Sequence, residues 1–218
     1  MKRFCLVQIL VVLLVIGFMG SESMGIGLGG YFETGSGSGN WTRENENGVE
    51  TEFETDDNGS GFGFVLDTAV AKNRVFNYRL ELGYERKNYE DEAGAILEMD
   101  NFVVVNDFGF GVVRTPKLRF WLGPELKIAS GSGNVDTDED EVVDYDLVNV
   151  GIGPVVGLNF HIGKLVTLGF KSGLLFESFI GQAKHEITRE EIDYTGDDTY
   201  FYINFALIFR INDIYKKK

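Results

Sequence analysis

Cysteine occurs once in this chain, as Cys5, and histidine twice, as His161 and His185. No CxxC pair and no Cys/His ligand spacing can be drawn from so few. A disulfide framework and a structural zinc site are therefore excluded, and no metal or cofactor is expected. Proline is reduced to three residues in 218. Bases are scarce too: 20 Lys and Arg stand against 34 Asp and Glu, for a net charge of −14. A chain this acidic lacks the basic patches that bind phosphates, so nucleic acid is excluded as a partner. Mean hydropathy is −0.06, which argues against a helical membrane protein. It leaves a membrane barrel open, because barrel strands alternate and average out.

Glycine and aromatics are plentiful, at 28 Gly and 18 Phe. The stretch 75–85 shows how they are used. Phe76, Tyr78, Leu80, Leu82 and Tyr84 share one parity, and Asn77, Arg79, Glu81, Gly83 and Glu85 share the other. That period of two belongs to a β-strand with one oily and one polar face.

Residues 1–23 read as a secretory signal peptide: Lys2 and Arg3, an apolar run from Phe4 to Phe18, then small Ser21 and Ser23 before a cut at Met24. Eight strand-like stretches follow within 24–211, and 212–218 form a basic tail ending in three lysines. Oily parities recur throughout. Examples are Phe62, Phe64 and Leu66, then Leu118, Phe120 and Leu122, and finally Phe201, Ile203, Phe205, Leu207 and Phe209. Pro124 and Pro154 interrupt two strands and predict bulges or bends, because proline cannot donate to a ladder.

Connections alternate long and short, as in an up-and-down meander. The expected long polar loops are 34–60, 89–100, the acidic run 136–141 and 181–198. The expected short turns are 71–74, 114–117 and 161–164. Loop 34–60 holds seven acids and one base, and 136–146 holds seven acids and no base, whereas Lys72, Arg74, Arg114, Lys117 and Lys164 sit at the short turns. The two ends of the barrel should therefore differ in sign.

Volume chooses which face points inward. Eight strands enclose a space just wide enough for side chains or one small ligand. The oily face carries about five large residues on nearly every strand, many of them Phe, too many for that space. The expected fold is all-β, an eight-stranded antiparallel up-and-down transmembrane barrel with its oily face outward. The lumen then receives Asp67, Arg79, Glu81, Asp107, Arg119, Glu125, Lys127, Lys171, Glu177 and Arg210, five acids and five bases. Charges there must pair, since isolated ones are costly to bury. Tyr78, Tyr84, Tyr200 and Tyr202 are candidates for an interfacial girdle.

With the signal peptide, eight alternating strands, the phrases Gly61-Phe62-Gly63-Phe64, Gly123-Pro124 and Gly153-Pro154, and a Phe-rich last strand reaching Phe209, the chain resembles the small bacterial outer-membrane β-barrels of the OmpA-barrel and OmpX-like group. It departs from them at its end. Such barrels finish on an aromatic residue read by the assembly machinery, whereas this chain runs on to Lys218, so the signal is internal near Phe209 or supplied by Tyr215. The resemblance implies export to the outer membrane and contact with its lipid. It also implies lipopolysaccharide or another extracellular ligand as partner, and the barrel assembly machinery during biogenesis. The implied role is non-catalytic: surface structure, adhesion or host interaction.

Two alternatives belong to other classes, an OmpW-like channel for small hydrophobic molecules and a lipid A-modifying enzyme. For the enzyme, His185 with Glu186, Thr188 and Ser178 is the only candidate set, and it lacks a diagnostic nucleophile–base–orienter pattern. The acidic surface loop Asp136, Asp138, Glu139, Asp140 and Glu141 lacks the glycine and final glutamate of an EF-hand and is expected to be simply solvated.

Overall fold

The computed structural model describes residues 26–44, 48–68, 75–92, 94–136, 142–185 and 191–211. Eight strands follow in chain order: β1 (Gly27–Glu44), β2 (Glu50–Asp67), β3 (Phe76–Asp91), β4 (Ile96–Arg114), β5 (Leu118–Asp136), β6 (Val142–Ile162), β7 (Val166–His185) and β8 (Glu191–Arg210). Each pairs antiparallel with its neighbours, and β8 closes on β1. The chain is therefore an up-and-down transmembrane β-barrel, with every sheet edge paired as a membrane requires. Residues 1–23, read from the sequence as a signal peptide, and the tail 212–218 lie outside the described residues.

The oily parity faces outward. Phe62, Phe64, Phe110, Ile152, Phe176, Phe205 and Phe209 are all exposed on the barrel wall. On β8 the belt runs from Phe201 to Phe209, eight steps of about 3.3 Å along a strand tilted by roughly 40°, a height of about 20 Å that falls within the roughly 25 Å apolar band of a membrane barrel. Tyr78, Leu80, Val104 and Asn106 share the outward parity but are buried, the first three in a cluster with Leu66, Leu82 and Phe108. The Tyr78 hydroxyl donates to Asn106 Oδ1 at 2.6 Å.

The stretches expected as long loops are mostly strand. β1 and β2 stay paired from Gly27↔Asp67 to Glu44↔Glu50, and β7 and β8 up to Lys184↔Glu191. Tyr89 to Asp91 and Ile96 to Asp100 are strand as well. The physical reason is an inversion of polarity partway up each strand. Low on β8 the outward residues are Phe201 to Phe209 and the inward ones include Asn204 and Arg210. High on the same strand Glu191, Asp193, Thr195 and Asp197 point out, and Ile192 and Tyr194 point in. β2 repeats this, with Glu50, Glu52, Glu54 and Asp56 outward and Phe53 inward. The lower tier is dressed for lipid and the upper tier for water.

Pro124 and Pro154 are direct register partners. The β4–β5 ladder skips the pairs opposite Gly123 and Pro124, and the β6–β7 ladder skips those opposite Gly153 and Pro154, but the register continues unchanged beyond each gap. The expected bulges are thus absent at the prolines. Each lost amide leaves a gap, and the paired residues on either side hold the register. The shift in register falls instead between Gly111 and Val113. Tyr200 and Tyr202 face the lumen and are buried, so they belong to no girdle. Tyr84 does stand on the outer wall.

Candidate functional site

Polar parity brings the ten charged residues expected in the lumen to the inside, all of them buried. They divide into three layers by height. At the lower mouth, Asn159 Nδ2 donates to Asp67 at 3.2 Å, Arg119 to Asn77 Oδ1 at 3.2 Å, and Arg210 to Thr167 Oγ1 at 3.0 Å.

The middle layer is built on Lys171. Its Nζ lies 2.7 Å from Glu125, 2.9 Å from Glu81 and 3.1 Å from Asp107. Arg79 joins it, 2.6 Å from Glu81, and donates to Asn204 at 3.0 Å. Asn204 in turn donates to Glu33 at 3.0 Å, and the Tyr202 hydroxyl donates to Glu125. One ammonium shared by three carboxylates, with an arginine holding one of them from the other side, is how a narrow lumen keeps charges without leaving any isolated.

The third layer rests on two lysines. Lys127 lies 2.9 Å from Glu85 and 3.2 Å from Glu177, and Lys87 lies 2.7 Å from Glu177, 2.9 Å from Asp57 and 3.4 Å from Asp198. The Tyr200 ring sits under both, its centroid 3.9 Å from Lys87 Nζ, in cation–π contact. Glu33, Asp57, Glu85, Lys87 and Asp198 are the members that sequence reasoning omitted. Glu85 and Lys87 simply continue the parity of Arg79 and Glu81 and were findable. Asp57 and Asp198 lay in stretches read as loops. With them the buried set holds nine acids and six bases, so the expected balance gives way to an acidic excess, and the lysines each serve two or three carboxylates.

Large rings fill the space between the layers, and glycine makes room for them. Trp121 is fully buried and lies over Gly157 and Gly109, where a β-carbon would strike its indole. Tyr202 lies over Gly173 in the same way. At this depth Trp121, Arg79, Lys171 and Tyr200 reach no solvent beyond a trace.

Above the plug the lining becomes apolar. Trp41, Tyr89, Met99, Val143, Leu147, Phe179, Ala183 and Tyr194 form one cluster, with Phe53, Leu97, Tyr145 and Ile192 packed against it. Trp41 meets Phe179 at 4.3 Å and Tyr89 at 4.9 Å between ring centroids.

The fold has solved counterparts. The chain is similar to the outer membrane protein OprG from Pseudomonas aeruginosa, with a TM-score of 0.62 at 9% identity over 88% of this chain and 98% of that one. The likeness is one of fold, a small closed β-barrel. Neisserial surface protein A (TM-score 0.31, 9% identity, 78% of this chain and 95% of that one) and the outer membrane protease OmpT from Escherichia coli (TM-score 0.32, 10% identity, 85% and 97%) also match. No protein-family model matches the sequence, and no curated protein does.

The remaining candidates come together less. His185 ends β7 opposite Val143, and Glu186 and Thr188 lie outside the described residues. Ser178 stands on the outer wall and donates to Asp197. Of the acidic loop, Asp136 ends β5, and Asp138 to Glu141 lie outside the described residues. His161 is at the lower rim, its Nδ1 2.9 Å from Thr167 Oγ1.

Proposed function

We propose that this barrel is sealed, resides in the bacterial outer membrane and works at the cell surface without catalysis, in surface structure, adhesion or contact with a host. The three-layer plug carries this reading. Axial passage would require breaking the ties of Lys171, Lys127 and Lys87 together, and pulling one charge out of such a network leaves its partners buried and unpaired. The upper tier gives the surface role its material. On its outward face Glu44, Glu50, Glu52, Glu54, Asp56, Glu90, Glu98, Asp100, Asp144, Asp146, Glu191, Asp193 and Asp197 are exposed, against Arg86 and Lys184 as the bases among the described strand residues. Such a collar favours cationic partners and repels anionic ones.

Conductance in planar bilayers tests this reading directly. The purified barrel should give no defined single-channel steps, and reproducible steps would replace the sealed reading with the channel one. A lipid A modification that disappears in a His185→Ala strain would overturn the absence of catalysis.

A further inference from the structure

The upper tier holds a cavity of about 340 Å³, open to the water above the membrane. That is at the small end of the range for ligand sites, roughly 300–1,000 Å³. Its walls are aromatic and aliphatic: Trp41, Phe53, Tyr89, Leu97, Tyr145 and Tyr194. The polar groups among these apolar walls set the chemistry. Trp41 is 2% exposed, and its indole N–H is buried with no acceptor among the described residues. Arg43, two residues further up the same inward parity, is the one base among the described residues that line the cavity. The one lining acid, Asp91, already accepts the Ala95 N–H at 2.8 Å and so holds the turn between β3 and β4.

A slot walled by aromatic rings with one guanidinium at its edge suits a ligand with a flat or branched hydrocarbon body and an anionic acceptor at one end. We propose that the mouth of the barrel binds a small aromatic or branched-chain carboxylate. Its body packs against the aromatic wall of Trp41, Phe53, Tyr145 and Tyr194, and its carboxylate meets Arg43. The acidic collar does not oppose this at short range. Its carboxylates project from the outer wall into solvent and are screened within about 8–10 Å at physiological ionic strength, whereas Arg43 lines the cavity itself. The site stands whether or not the plug below it conducts.

The test uses the full barrel in phosphatidylcholine nanodiscs and three naphthalene probes of nearly one shape: 2-naphthoate, the neutral 2-naphthamide and protonated 2-naphthylmethylamine. Isothermal titration calorimetry, with empty nanodiscs subtracted, should show one 2-naphthoate per barrel, bound at least tenfold more tightly than the amide, with the amine weakest. Arg43→Gln, a change at an exposed side chain, should bring 2-naphthoate down to the affinity of the amide and leave the amide unchanged. The proposal is overturned by equal affinity for 2-naphthoate and the amide, by preference for the amine, by no saturable binding of 2-naphthoate, or by 2-naphthoate affinity that Arg43→Gln does not alter.

Discussion

The same eight strands build two cores that follow opposite rules. At the depth of the oily belt the inward residues are charged, such as Lys171, Glu81, Asp107 and Glu125, and the outward ones are Phe, Leu, Ile and Val. One turn of the barrel higher, the inward residues are Trp41, Tyr89, Phe179 and Tyr194, and the outward ones are acids. Solvent sets the difference. Where lipid lies outside, apolar side chains gain nothing by turning in, and polar ones must. Where water lies outside, burying apolar surface again stabilises the tier, at about 25 cal/mol per Å² removed from water. The level at which the alternation changes phase marks the upper boundary of the membrane on each strand.

The comparison can be broken at four points. Lys171→Met leaves Glu81, Asp107 and Glu125 with Arg79 as the remaining cation of their layer. It should cost about 3–5 kcal/mol, read from guanidinium unfolding in lipid vesicles and from the temperature at which gel mobility shifts. Phe205→Arg places a charge at the middle of the belt, between Phe32 and Phe170. The expected loss is about 2–4 kcal/mol, as for a cation facing lipid at mid-depth. A neutral result would mean that this face does not meet lipid.

Gly157→Ala drives a β-carbon into the Trp121 indole. The ring must shift, at about 1–3 kcal/mol, with a change in the near-ultraviolet circular dichroism of the buried indole. Thr195→Arg is the counterpart of the second variant, an exposed outward residue on the same strand but in the upper tier. It should stay within about 0.5 kcal/mol of the parent. A loss as large as that of Phe205→Arg would extend the lipid belt over the upper tier and erase the distinction between the two.

Much of the lower tier was legible in the residues. Phe201 to Phe209 and Phe76 to Tyr84 alternate without interruption, and a volume argument sufficed to turn them outward. The same parity led to Arg79, Glu81, Glu125, Lys127 and Lys171. The upper tier was not read, because a stretch such as 191–199 carries Glu, Asp, Thr and Gly with only Ile192 and Tyr194 as apolar markers, and polarity of that kind resembles a loop. The signal was present as a continued period of two with its phase reversed. Trp41 among Asn40, Thr42 and Arg43, and Phe53 between Glu52 and Glu54, belong to that reversed pattern. The cavity at the mouth follows from it and could not be reached while those residues counted as loop.

Period and residue size by themselves determined that strands form, that they number eight, and which parity faces lipid, because each depends on neighbours along one strand and on the capacity of a closed ring. Tertiary structure alone decided which charges meet. Lys171 finds Glu81, Asp107 and Glu125 on three other strands, and Lys87 reaches Glu177 and Asp198 across the lumen. Those partners are fixed by the stagger of the strands around the ring, a quantity spread over all eight pairings that no single stretch of sequence contains.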